Sequence, residues 1–230
     1  MDRRREWFVP AFGPERFRLA VGLLFLPYTG MVLGFAVIGS LLAPQILWER
    51  VGAIVLIYFL ALGIGAHALD ALGSSGTKPW GEVFSREQLW AFAIVSVLAA
   101  YAIGSWYMVR YTPLLWPVAI AEGFFLLAYN LEWFGGRFHR DSWFAFSWGA
   151  LPVLAGHILQ TNAISLAALL MSLAMALLSL IEIKASRPYK ELRRAGIENA
   201  QSATLETILK CVSLGVLALA AAMAAWRISG

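Results

Sequence analysis

His67 and Asp70 are the first residues of this chain whose types and spacing suggest chemistry. They close a long apolar run within GIGAHALDALGSSGTKPWGEVFSR, positions 63–86, where that run opens into a polar, glycine-rich stretch. Residues three apart on a helix leave the same face, so the two side chains are predicted to lie together. Ionisable groups at the depth of a membrane are costly, and such a pair therefore indicates a functional site. The alternative is an ordinary pair of polar residues beside the membrane.

The composition decides which class of protein holds this pair. Hydrophobic residues make up 60% of the 230 residues and charged residues only 14%, which is too apolar for a soluble domain. The chain is predicted to be an all-α, polytopic transmembrane bundle that forms one domain over positions 1–230. Cys211 is the single cysteine, which excludes an intrachain disulfide and a cysteine-rich metal cluster. The net charge is +4, but the basic residues lie in the segments between the apolar runs, where a membrane protein needs them for its topology. We therefore expect no nucleic-acid partner.

Seven apolar stretches are long enough to cross a membrane as helices. A basic segment at positions 1–16 precedes them, and we expect it to lie in the cytoplasm. Ser85 and Gln88 have the spacing of a capping box, which predicts where the third helix begins. The predicted spans cover about 17–42, 51–70, 89–109, 114–131, 143–159, 164–183 and 205–226.

The distribution of basic residues predicts the orientation of these spans. Of the 18 lysines and arginines, all but Arg50, Arg110 and Arg227 fall on the side of the membrane that holds the N-terminus. Cytoplasmic segments of membrane proteins carry the excess of lysine and arginine. We therefore expect a multi-pass integral membrane protein with a cytoplasmic N-terminus and an external C-terminus.

Further polar residues are predicted to collect at the cytoplasmic ends of the second, fourth and sixth spans. Glu132 and His139 follow the fourth span, and Glu182 closes the sixth. Because imidazole and carboxylate groups bind divalent cations, we expect one metal site that gathers residues from all three stretches. The alternative is a set of solvated charges that pair with neighbouring lysines or arginines. The predicted metal ligands are His67, Asp70, Glu132, His139 and Glu182.

Glu122 differs from these residues because it lies near the middle of the fourth predicted span. A buried acid at this depth must be protonated, paired or exposed to a polar cavity. Tyr129 follows seven residues later on the same helical face, so we expect Glu122 to face the cavity that opens at the cytoplasmic surface. The alternative is a neutral carboxyl group that is hydrogen-bonded between helices.

Three stretches of the sequence carry a family resemblance. They are AHALDALGSSGTKPWGEVFSREQL, YNLEWFGGRFHRDSWFAFSWGALPVLAGHILQTNAISLAALL and LIEIKASRP. With them the chain resembles the UbiA superfamily of intramembrane prenyltransferases over positions 17–226, and the resemblance implies a UbiA-like bundle. The family normally has nine spans. Its two aspartate motifs fall on His67 and Asp70 and near Glu182, where one aspartate is kept and a histidine and a glutamate replace others.

The resemblance implies an enzyme that acts on a polyprenyl or other long-chain lipid, with prenyl transfer as the class of reaction. His67, Asp70 and Glu182 would be catalytic and would hold a divalent ion. That ion is Mg²⁺ in the family, while the histidine ligands leave Zn²⁺, Mn²⁺ or Fe²⁺ open. Other polar residues near the same surface would bind the substrate, and they are Lys78, Glu122, Tyr129, Asn130, Arg137 and Arg187.

The alternative function is lipid binding or transport without catalysis, or a role as a subunit of a membrane complex. In every case the expected partner is a membrane lipid or an isoprenoid, and a second copy of the chain or another subunit stays open. The metal content of the purified protein separates the two functions, because a carrier needs no metal ion.

The charge distribution makes a direct prediction of topology. Reporter domains fused after Arg86, Arg140 and Arg194 are expected to be cytoplasmic, and one fused after Gly230 is expected to be external. Dual-reporter activity measured in the expressing cells checks this. A cytoplasmic reporter after Gly230 would contradict the predicted number of spans.

Overall fold

The computed structural model describes residues 7–73 and 84–230, and every regular element in these ranges is a helix. Six helical stretches are long and apolar enough to cross a membrane, which confirms the prediction of an all-helical, multi-pass membrane protein. These stretches are Glu15–Leu41, Trp48–Gly73, Arg86–Arg110, Asp141–Thr161, Leu166–Arg194 and Ala200–Ser229.

We number the helical elements in chain order. The α-helices are α1 Glu15–Leu23, α2 Leu26–Leu41, α3 Trp48–Tyr58, α4 His67–Gly73, α5 Arg86–Arg110, α6 Leu115–Asn130, α7 Trp133–Gly136, α8 Asp141–Phe144, α9 Leu151–Thr161, α10 Leu166–Arg194 and α11 Ala200–Ser229. Two π-helical segments, π1 Phe59–Ala66 and π2 Ala145–Ala150, join α3 to α4 and α8 to α9.

The span predicted at 114–131 corresponds to α6, an apolar helix of only 16 residues, or about 24 Å. At one end of the bundle, the backbone N–H of Leu114 donates a hydrogen bond to Asn162 Oδ1 at 3.0 Å. At the other end, the carbonyl oxygen of Asn130 lies so close to Gly73 that a Cβ there would be 2.1 Å away. We call the end with Gly73 and Asn130 the site end, and the other the opposite end. α6 therefore reaches both ends, in the place predicted for the fourth span.

The first predicted span contains a break at the site end. α1 and α2 are separate because Phe25, between them, has a left-handed backbone conformation with φ of 47°. Such a conformation is uncommon for a bulky residue and interrupts the hydrogen bonding of a helix. Pro27 then stands in the first turn of α2, where its missing N–H leaves no helical hydrogen bond unmade. The chain therefore turns just before Tyr28 and Thr29.

The two π-helical segments interrupt spans that the sequence predicts as regular α-helices. π1 ends one residue before His67. π2 contains Trp148, whose ring centre is 5.6 Å from that of His67. π-helical turns are rare and occur frequently at functional sites. Both segments therefore border the predicted site.

The predicted start of the third span is confirmed by its capping box. The backbone N–H of Ser85 donates to Gln88 Oε1 at 2.9 Å, and the N–H of Gln88 donates to Ser85 Oγ at 3.2 Å. These bonds satisfy two N–H groups that have no partner inside the helix. α5 consequently begins at Arg86, directly after the predicted cap Ser85.

α2 and α9 cross with their backbones in direct contact. A Cβ atom on Gly39 would lie 2.0 Å from the carbonyl oxygen of Val153. A Cβ atom on Gly156 would lie 2.1 Å from the carbonyl oxygen of Ala36. The buried hydroxyl of Ser40 adds a hydrogen bond to the carbonyl of Ala36 at 2.9 Å. Close approach through small residues is how helices associate strongly inside membranes.

Arginines at the opposite end stabilise the ends of helices. Arg50 donates to the carbonyl oxygen of Leu159 at 2.9 Å, and Arg227 donates to that of Leu41 at 3.0 Å. Both carbonyls lie in last helical turns, where a positive charge also interacts favourably with the helix dipole. Arg110 instead lies over the ring of Trp106, 3.6 Å from its centre. All three arginines that depart from the charge rule thus have partners.

The crossing of α2 and α9 predicts a sharp effect of adding one methyl group. Gly39→Ala and Gly156→Ala should each destabilise the protein by about 2 kcal/mol or more, because the new Cβ overlaps a backbone oxygen that cannot move freely. Thermal denaturation in detergent, followed by tryptophan fluorescence, should show a melting temperature lowered by several degrees. Gly215→Ala is the matched control, since no atom of the residues that the structure describes lies within 4 Å of a Cβ there. Equal melting temperatures for all three variants would contradict the backbone contact.

Candidate functional site

His67 and Asp70 begin α4, and both are half-buried at the site end. His67 Nε2 lies 3.2 Å from Thr29 Oγ1 on α2, within hydrogen-bonding distance. The imidazole ring also contacts the rings of Phe25 and Trp148, with centres 5.3 and 5.6 Å away. The first turn of α2 and π2 therefore fix the position of His67.

A stripe of buried polar residues runs along the face of α10 that meets α2 and π2. Ser179, Glu182 and Ser186 are spaced three and four apart, which places them on one helical face, and each is at most 1% exposed. The hydroxyl of Tyr28 on α2 donates a hydrogen bond to Ser186 Oγ. This bond links the start of α2 to the polar stripe.

Glu182 is the most deeply buried acid of this end of the protein, with 1% of its surface exposed. Its Oε1 atom is enclosed and has no hydrogen-bond partner among the residues that the structure describes. Glu182 lines a small cavity, which we call the aromatic cavity, together with Tyr28, Phe144, Trp148 and apolar residues of α2. A buried polar atom without a partner costs free energy. A site that receives a ligand can contain such an atom, because the ligand then supplies the missing partner.

Two basic residues of α10 interact with acids and aromatic rings at the site end. Lys190 acts electrostatically on Glu182, and its Nζ lies 4.6 Å from the ring centre of Phe25 and 5.1 Å from that of Tyr28. Arg187 Nη1 is 3.1 Å from Asp141 Oδ1 on α8. These contacts hold positive charge over an aromatic wall and beside a buried acid.

Tyr129, near the end of α6, is the residue around which the charges meet. It is 6% exposed, and Asp70, Glu182 and Arg187 all lie within electrostatic range of its hydroxyl. His139 stacks on its ring with centres 4.4 Å apart, and His139 Nδ1 lies 3.0 Å from the Tyr129 carbonyl oxygen. We call Asp70, Tyr129, Glu182 and Arg187, with His67, the site-end cluster.

The structure brings together part of the predicted set. Asn130 is buried beside the cluster, but its amide donates to the carbonyl of Leu126 at 2.7 Å. Glu132 and Arg137 are exposed in the connection after α6 and do not join the cluster. Lys78 lies outside the described residues.

Glu122 is placed elsewhere than the sequence led us to expect. It lines a separate cavity nearer the middle of the bundle, and the aromatic cavity has a different set of lining residues. The shared helical face of Glu122 and Tyr129 is real, but Leu126 lies between them on α6 and lines the Glu122 cavity.

The five predicted metal ligands do not come together around one point in the structure. Within residues 7–73 and 84–230, no three His, Cys, Asp or Glu side chains come close enough together to hold one. Asp70 and Glu182 supply two carboxylates near Tyr129, while His139 faces a backbone carbonyl and Glu132 is exposed. The described residues alone therefore do not form the five-ligand site, and the metal ion stays a prediction.

Sequence reasoning missed several residues of the site. Tyr28, Trp148 and Lys190 were not singled out, although each contacts a predicted site residue or lines its cavity. The signal for one wall was present in the sequence, because Ser179, Glu182 and Ser186 recur three and four residues apart where the apolar stretch of α10 ends. Trp148 gives no comparable signal, since tryptophan is also common at membrane surfaces.

No family model, no curated protein and no solved structure matches the chain. The site-end cluster is therefore described by its own geometry. Two acids, Asp70 and Glu182, and two bases, Arg187 and Lys190, lie around Tyr129 and an aromatic-walled cavity.

The hydrogen bond between Tyr28 and Ser186 predicts a measurable coupling between α2 and α10. Tyr28→Phe and Ser186→Ala should each reduce stability, and the double variant should be only as unstable as the worse single one. The expected coupling is about 1 kcal/mol, the usual net contribution of such a bond. Tyr101→Phe with Ser186→Ala is the control pair, because the Tyr101 hydroxyl donates to Ala119 and its loss should be additive. Additive effects for both pairs would count against the bond.

Proposed function

We propose that this protein is an integral membrane enzyme, similar to the UbiA superfamily, that acts on the polar head of a polyprenyl or other long-chain lipid. In this proposal the chain crosses the membrane seven times, and the site end faces the cytoplasm. The observation that carries the proposal is the buried Oε1 atom of Glu182, which has no hydrogen-bond partner among residues 7–73 and 84–230 and lies beside an aromatic-walled cavity and basic residues.

The charges of the cluster suit a phosphorylated lipid head. Arg187 and Lys190 lie on neighbouring turns of α10 near the site end, where they would attract an anionic group from the membrane surface. An arginine can bind phosphate oxygens through two parallel N–H groups. The lipid chain would then extend into the apolar interior of the bundle.

The acid and the aromatic rings of the site suit the positive charge that develops on the lipid chain during prenyl transfer. In prenyl transfer, the bond between the allylic carbon and the phosphate oxygen breaks, the electron pair leaves with the phosphate, and positive charge develops on carbon. Glu182 and the ring faces of Tyr28 and Trp148 line one cavity and would stabilise that charge. His67, in contact with Trp148, would orient this wall, and Asp70 would act near the Tyr129 hydroxyl.

Lipid binding without catalysis is the second candidate, and the internal pairing of charges favours it. Asp141 binds both Lys184 at 2.7 Å and Arg187 at 3.1 Å, and Glu182 interacts with Lys190. A cluster that neutralises its own charges is suited to holding a ligand without transforming it.

Turnover of a prenyl diphosphate by the purified protein tests the proposal. The wild type, assayed in lipid nanodiscs with and without MgCl₂ and with a membrane lipid extract as acceptor, should release diphosphate. Glu182→Gln and Asp70→Asn should lower this rate about 100-fold, because they remove charge where it acts on the transition state. Glu132→Gln is the matched control and should retain the rate, since Glu132 is exposed. Melting temperatures of all variants show whether they are folded.

One outcome would count against catalysis, and another would count against the site-end cluster as its location. If the wild type releases no diphosphate but retains a copurified isoprenoid that Glu182→Gln loses, the protein is a lipid carrier. If Glu132→Gln and Glu182→Gln lower the rate equally, the site-end cluster is not the site of reaction.

A further inference from the structure

A second cavity lies between α3, α5 and α6, and we call it the mid-bundle cavity. Its volume is about 70 Å³, and its walls are almost wholly apolar. The polar side chains at its wall are Tyr58 of α3, Tyr101 of α5 and Glu122 of α6. This cavity is partly open. Among the residues that the structure describes, it shares no lining residue with the aromatic cavity beside Glu182. The mid-bundle cavity is therefore distinct from the aromatic cavity.

Glu122 offers one free hydrogen-bonding position to this cavity. Its Oε1 accepts a hydrogen bond from the buried Tyr58 hydroxyl at 2.8 Å. Within residues 7–73 and 84–230, no protein group hydrogen-bonds its Oε2 atom. The side chain is half-buried, and it lines the cavity. The carboxyl group is therefore held in place on one side and unused on the other.

Tyr101 does not compete for that position. Its hydroxyl donates to the carbonyl oxygen of Ala119 at 2.7 Å. It reaches this carbonyl by crossing Gly123, where a Cβ would lie 2.1 Å from the hydroxyl oxygen. The glycine thus lets Tyr101 lie against α6 with its donor already used. Glu122 is left as the polar group that can recognise a ligand.

From this geometry we infer that the mid-bundle cavity binds the hydroxyl end of a neutral long-chain alcohol that enters from the lipid. A hydroxyl donates to a carboxylate and accepts from a carboxylic acid, so it matches Glu122 in either protonation state. An anion would be repelled by the ionised carboxylate, and Ca²⁺ or Mg²⁺ needs about six oxygen ligands, whereas only three of the described side chains that line the cavity carry oxygen atoms. A volume of about 70 Å³ accepts only the head of such a molecule, so its chain must lie along the apolar helix surfaces.

This site does not depend on the proposed activity, and a binding experiment tests it directly. The probe is a dodecanol that carries a photoreactive diazirine near the hydroxyl, added to the full-length protein in phosphatidylcholine nanodiscs. Irradiation and peptide mass spectrometry locate the adducts. We expect labelling of the peptides that contain Tyr58, Tyr101 and the α6 wall. Unlabelled dodecanol should compete for this site, and dodecane at an equal bilayer concentration should compete about five- to tenfold more weakly, since it has neither a donor nor an acceptor.

Two variants separate the hydroxyl contact from the cavity itself. Glu122→Met combined with Tyr58→Phe removes the carboxyl group and the hydroxyl bonded to it and keeps most of the volume, so the alcohol and dodecane should then compete equally. Gly104→Val fills the cavity without touching Glu122, because a Cβ on Gly104 has its nearest neighbours at 3.7 and 3.9 Å, and it should abolish labelling. Glu132→Gln, in the exposed connection, should label like the wild type. Equal competition by dodecanol and dodecane in the wild type, or labelling unchanged in Gly104→Val, would overturn the inference.

Discussion

The contact between the backbones of α2 and α9 is the constraint on which the rest of this structure depends. Helices in lipid gain little from burying apolar side chains, so close packing has to hold them together. Gly39 and Gly156 allow that packing, and they fix the position of α2 within the bundle. The start of α2 then presents Tyr28 and Thr29 to α10 and α4. A crossing near one end of a helix thus positions side chains at its other end.

The two ends of the bundle use charge in different ways. At the opposite end, Arg50 and Arg227 bind carbonyl oxygens in the last turns of α9 and α2, and their positive charge interacts favourably with the helix dipoles. At the site end, basic side chains meet acids and aromatic rings around a cavity. An arginine that already binds the carbonyl oxygens at the end of a helix is not available to a ligand. A basic side chain beside a buried acid can instead exchange that acid for an anionic group of a ligand.

Hydropathy and capping chemistry predict much of this fold. The six long spans and the start of α5 follow from them, because apolar length and the Ser85–Gln88 pair are local features of the sequence. The π-helical segments and the break at Phe25 do not follow, since both are set by packing between distant helices. The site shows the same division. His67 and Asp70 share a helix and could be paired from their spacing, whereas the exposure of Glu132 depends on where α6 ends.

The π-helical segment before His67 sets the rotation of α4 about the helix axis relative to α3. A single π-helical insertion is equivalent to one extra residue in an α-helix, and one residue corresponds to about 100° of rotation. Without π1, the same sequence would present His67 and Asp70 to a different neighbour while α3 kept its own contacts. The segment therefore acts as a rotational offset between two halves of one span. One half can keep the angular position that packing requires, and the other half the position that the site requires.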